Sequence, residues 1–185
     1  MRDRSPMWCA ATRRALVSLA LLASTTAMSD TPAATMNVTP VAAVRLSCRA
    51  SVPPTLRGTQ PAVLTLLLHN EGRLPLYVLR RNTPLEGWLA DSLTVTRDGE
   101  PVPYTGAMAK RMPPQAAEYL ALKPGHRYRY RTRLAPAYEV GLAGRYQLQW
   151  RGELMDVRVA ERPQLGHELH ALTVACPTVE FVRTR

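Results

Sequence analysis

From Val44 onward, hydrophobic and polar residues alternate in short bursts, without the three-to-four spacing of an amphipathic helix. The bursts are rich in β-branched and aromatic residues and are separated every 8 to 15 residues by Gly, Pro, Asn or Asp. The pattern predicts strands over Val44–Ser51, Ala62–His69, Leu76–Arg80, Ser92–Arg97, Glu100–Pro103, Tyr119–Leu122, Arg127–Leu134, Arg145–Arg151, Asp156–Ala160 and Leu172–Phe181. Asp98-Gly99 between two of them is a hairpin signal, because both central residues tolerate positive φ. Asn70-Glu71-Gly72 and Lys123-Pro124-Gly125 mark further turns. Tyr146, opening a strand after Gly144, reads either as a tyrosine corner bonding back across a sandwich edge or as a packed ring with a hydrated hydroxyl. Many short strands without a helix predict an all-β, Ig-like antiparallel β-sandwich, with one domain over residues 42–185.

The first residues obey a different rule. Arg13-Arg14 precedes the apolar run Ala15–Ala23 and the small residues Ser24–Ser29, the order of a secretory signal peptide over residues 1–29. The apolar run is too short to span a bilayer, and the paired arginines also resemble a twin-arginine export signal. Residues 30–41 are rich in Thr, Pro and Ala without periodicity and read as a flexible leader. A periplasmic or secreted protein is expected. The 185-residue chain carries a formal charge of +10, and loss of residues 1–29 would remove four arginines and one aspartate, leaving +7. It would also remove Cys9, leaving Cys48 and Cys176. An even pair in an oxidising compartment favours one disulfide joining the first and last strands; two buried thiols remain open, and zinc is disfavoured without a Cys-x-x-Cys pair.

A more specific signal lies between Leu79 and Leu122. It comprises Asn82-Thr83-Pro84-Leu85-Glu86-Gly87, Leu93-Thr94-Val95-Thr96-Arg97-Asp98-Gly99, Val102-Pro103-Tyr104-Thr105-Gly106, Lys110-Arg111 and Glu118-Tyr119-Leu120-x-Leu122. In order and spacing this resembles the N-terminal, non-catalytic β-sandwich domain of bacterial deuterolysin-like (peptidyl-lysine) zinc metalloendopeptidases. The similarity continues through Ala135-Pro136-Ala137-Tyr138 to Trp150. In that family a zinc domain with His-Glu-x-x-His comes after the sandwich, whereas only 35 residues lie beyond Trp150 here. His167-Glu168-Leu169-His170 has its histidines three apart, not the four that place both ligands on one helical face, and reads as surface histidines near a turn. No metal, cofactor or catalytic residue is expected, and the protein is read as not an enzyme.

Two surfaces are candidates for binding. The loop from Tyr104 to Pro114, bent by Gly106, Pro113 and Pro114, carries Lys110 and Arg111. By the resemblance, whose proteases prefer lysine in the substrate, Lys110 would occupy a protease cleft like a poor substrate; alternatively Tyr104, Gly106 and their neighbours simply close the sandwich. The strand Arg127–Leu134 puts Arg127, Arg129, Arg131 and Arg133 on one face, either as a solvated guard against edge pairing or as a cationic ladder for an acidic protein or anionic surface polymer. The expected partners are an exported protease or other protein, or such a polymer. Nucleic acid is disfavoured by export. The leading reading is a protein-binding module resembling a protease prodomain, acting as inhibitor, folding partner or targeting module. The alternatives are a structural envelope domain binding polymers through its basic face, and a remnant of a protease whose catalytic half was lost.

Overall fold

The computed structural model describes residues 44–185, so the expected signal peptide, leader and Cys9 lie outside the described residues. The described chain is an all-β sandwich whose strands are β1 (Leu46–Ser51), β2 (Thr55–Arg57), β3 (Val63–Asn70), β4 (Leu76–Leu79), β5 (Leu93–Arg97), β6 (Glu100–Pro101), β7 (Tyr119–Leu122), β8 (Arg127–Arg133), β9 (Gly144–Trp150), β10 (Glu153–Leu154), β11 (Val157–Val159), β12 (Leu172–Thr173) and β13 (Val179–Thr184). Its hydrogen-bonded sheets run β1-β3-β8, β11-β4-β7, β2-β13-β9-β5-β6 and β10-β12. Period-two burial explains why these segments are strands. Along β3 every second residue is buried, and β9 and β13 alternate in the same way, so each sheet turns one apolar face inward. Leu64, Leu66 and Leu68 of β3 join Val95, Tyr146, Leu148 and Phe181 in one buried cluster. No helix among the described residues is long and apolar enough to cross a membrane.

Most of the expected strands are present, shifted by one or two residues. Leu172–Phe181 is the exception: Cys176-Pro177 interrupts it, giving the short β12 and a separate β13 that continues to Thr184. Proline cannot donate to the ladder, which is the physical reason for the break. β2 and β10 carry too little alternation to be seen in the sequence, and β2 pairs parallel with β13. Asp98 and Gly99 both take positive φ (50° and 90°), as the hairpin requires. The Tyr146 hydroxyl donates to Leu142 O at 2.7 Å, so the corner forms and the hydrated alternative falls away. Cys48 and Cys176 are disulfide-bonded across a separation of 128 residues, stapling β1 to the segment entering β13. Such a bond is maintained in oxidising, extracytoplasmic compartments.

Candidate functional site

Ala107–Met112 lies outside the strands and is held by hydrogen bonds at several points. Ala109 N–H donates to Leu89 O at 3.0 Å, and the Arg111 guanidinium donates to Glu86 Oε1 at 2.6 Å. Glu86 is fixed in turn: it ends a short 3-10 turn over Pro84–Glu86, capped by the Thr83 hydroxyl, and its carboxylate also accepts the Asn82 N–H at 2.8 Å. The far end is clamped by Arg81, which donates to Met112 O at 2.5 Å and forks onto Glu118 at 2.7 and 2.6 Å. Arg81 is almost wholly buried. The bidentate bond from Arg81 holds the Glu118 carboxyl below its ordinary range. Met108 and Met112 are 73% and 75% exposed, unusual for apolar side chains, and Lys110 is exposed between them.

The near end rests on aromatic rings. Tyr104 packs edge-on to Tyr138 with centroids 5.4 Å apart, and Trp88 does so from another side at 5.5 Å. Tyr138 is buried, and its hydroxyl donates to Asp91 Oδ1 at 2.9 Å; burial pushes its pKa up. The Tyr104 hydroxyl donates to Ala107 O at 2.7 Å, folding the ring over Gly106. A Cβ at Gly106 would lie 2.5 Å from the Tyr104 oxygen, which is why that position is glycine. Thr105 N–H donates to Ala137 O at 2.8 Å, so Ala135-Pro136-Ala137-Tyr138 lies directly beneath Tyr104-Thr105-Gly106. The separate motifs thus converge into one body supporting the loop.

This arrangement sorts the sequence-predicted residues. Tyr104 and Gly106 pack on one another, and Arg111 is exposed while donating to Glu86 and Leu89 O. Lys110 remains as the presented cation. Met108 and Met112 were missed; only the alternation Met108-x-Lys110-x-Met112 hints at them. Arg127, Arg129, Arg131 and Arg133 share the exposed face of β8. His167 is not the surface residue expected. Its Nε2 lies 2.7 Å from Oδ2 of the fully buried Asp156, and its Nδ1 contacts Gln164 O. Both ring nitrogens face acceptors, and the bond to Asp156 raises the imidazole pKa. Asp156 also accepts from the Tyr119 hydroxyl at 2.6 Å and the His170 N–H at 2.8 Å. His170 itself is exposed, and the group ties the 161–171 loop to β7.

Comparison with known proteins gives limited likeness. No family model matches the chain. An extracellular protease of Aeromonas hydrophila is 30% identical over 93 residues, covering 50% of this chain and 27% of that protein. The match therefore spans about a quarter of that protease. Among solved structures, a crystal structure of a CARDB domain from Pyrococcus furiosus in complex with di-metal ions covers 76% of this chain and 89% of its own, with TM-score 0.33 and 12% identity. A solution structure of a CARDB domain from the same organism covers 75% and 93%, with TM-score 0.31 and 14% identity.

Proposed function

We propose that this chain is an extracytoplasmic, non-catalytic protein-binding module related to the N-terminal sandwich of deuterolysin-like metalloendopeptidases, and that it engages a separate exported protease through the loop bearing Lys110. The observation carrying this reading is the braced segment Met108-Ala109-Lys110-Arg111-Met112, which offers an exposed lysine between two exposed methionines on a loop held by Arg81, Glu86 and Leu89. A segment held in place before binding loses little conformational entropy on docking. The partial similarity to an extracellular protease supports the protease connection. Inhibitor, folding partner and targeting module share this contact and differ in its consequence for the protease.

The test is capture of the source organism's exported proteases on the full chain, with Lys110→Ala and Lys110→Glu alongside. Recovery of a protease by the parent and not by the variants supports the reading, and loss of that protease's lysine-directed cleavage on titration identifies inhibition. Equal recovery with Lys110→Glu, or no protease from either, refutes it. The second reading, a polymer-binding envelope domain, is favoured by the exposed arginine face of β8.

A further inference from the structure

We propose that the open edge of β8 is a docking site for an extended acidic–apolar peptide segment of another protein, added as a strand beside Arg127–Arg133. Two independent features coincide there. The first is main-chain geometry. Among the described residues β8 pairs only with β3, antiparallel, with Leu64 opposite Thr132 and Leu68 opposite Tyr128. Leu134 N–H donates to Ala62 O at 2.9 Å and Asn70 N–H to His126 O at 3.1 Å, so the even-numbered residues bond towards β3. By the alternation of an antiparallel ladder, the N–H and C=O groups of Arg127, Arg129, Arg131 and Arg133 point to the open side. Trp88 Nε1 donates to the carbonyl of Arg133 at 2.5 Å and closes that end. The groups of Arg127 to Arg131 stay available over roughly 14 Å of strand.

The second feature is the side chains of the same four residues. All four are exposed on the outer face, and Arg49 of β1 adds a fifth cation, because Leu67 pairs with Arg49 on one side and Arg129 on the other. Among the described residues none of these five has a carboxylate partner. The nearby Glu71 is taken up by Ser47 at 2.6 Å and lies 3.4 Å from His69.

Together the two features dictate the occupant. A strand bonded to this edge places one residue directly opposite each arginine on the outer face, where a carboxylate is favoured. Its intervening residues turn inward beside Tyr128, Tyr130 and Thr132, which are half-buried, so apolar side chains fit. Acidic and apolar residues must therefore alternate. A second copy of β8 is disfavoured because arginine would face arginine. A polysaccharide matches the charge but leaves the main-chain groups unused. The proposal makes no use of Lys110 and its test reads the β8 arginines alone, so the two proposals stand or fall separately.

The test uses fluorescence anisotropy of the full chain with a labelled heptapeptide, Glu-Val-Glu-Val-Glu-Val-Glu. Its controls are a permuted peptide with four glutamates followed by three valines, and the alternating peptide N-methylated at each glutamate, which keeps the charge and removes the donors facing β8. The alternating peptide is expected to bind roughly tenfold or more tightly than either control, since both lose several cross-strand pairs or bonds. Arg129→Glu with Arg131→Glu is expected to weaken it by a similar factor and to create binding of Lys-Val-Lys-Val-Lys-Val-Lys, which an unfolded variant would not show. Equal binding of the controls, or competition by an anionic polysaccharide at least as effective as the alternating peptide at equal charge, overturns strand addition in favour of a plain polyanion surface. Absence of binding by every peptide also overturns it.

Discussion

Replacing Arg81 by methionine removes the clamp at the far end of the Lys110 loop while keeping much of the apolar stem. The guanidinium makes three bonds, two to Glu118 and one to Met112 O, and its side chain is only 7% exposed, against 31% for Glu118. Breaking a fully buried pair costs about 3–5 kcal/mol, whereas an exposed pair contributes about 0.2–1. With one partner buried and the other partly wet, the pair falls at roughly 2 kcal/mol, and the bond to Met112 O adds about 1. A loss of about 2–3 kcal/mol in urea unfolding is expected, or roughly 5–10 °C in Tm for a domain of this size. The pH dependence supplies an internal check. Glu118 titrates below its ordinary range when folded, so its contribution is present above the unfolded pKa, near 4.5, and lost as pH falls through the folded value. The gap between parent and variant should therefore shrink on acidification. Hydrogen exchange should accelerate at 108–112 before the core. A loss below about 1 kcal/mol, or unchanged protection in that segment, would refute the view that Arg81 holds the loop.

Other contacts of the fold fix three more outcomes. Gly106→Ala drives a Cβ to within 2.5 Å of the Tyr104 oxygen and should lower stability by about 1–3 kcal/mol in denaturant melts, with Tyr104→Ala, Gly106→Ala recovering part of the strain; full stability of the single variant would contradict the packing. His167→Gln should cost about 1–2 kcal/mol below pH 6.5 and progressively less above it. The folded imidazole pKa is raised, so its contribution is complete below the unfolded value and disappears as pH rises through the folded one; a pH-independent difference would rule out the charged contact with Asp156. Replacing both Cys48 and Cys176 by alanine should remove up to about 5 kcal/mol, the chain-entropy value for a loop of this length, read as a shift in urea midpoint between parent and variant; identical midpoints would show the bond to be thermodynamically idle.

Where adjacent residues obey a local rule, the sequence was enough. Period-two alternation located the long strands, because burial of one sheet face writes itself directly into the pattern from Val63 to Asn70 and from Arg127 to Arg133. Asp98-Gly99 announced its hairpin through φ preferences alone, and two cysteines in an export context pointed to their bond. Segments of two or three residues, such as β2 and β10, were invisible, since so short a run has no period and takes its conformation from the strand beside it. Arg111 and Lys110 look alike as neighbours in the sequence. Only the fold, by bringing Glu86 from 25 residues away, gives Arg111 a carboxylate partner that Lys110 lacks among the described residues. His167 likewise reads as a turn residue until Asp156 is placed beneath it. The β8 edge divides in the same way: alternation put the four arginines on one face, but which of their main-chain groups stay unpaired was decided by register against β3, a long-range choice that no local pattern encodes.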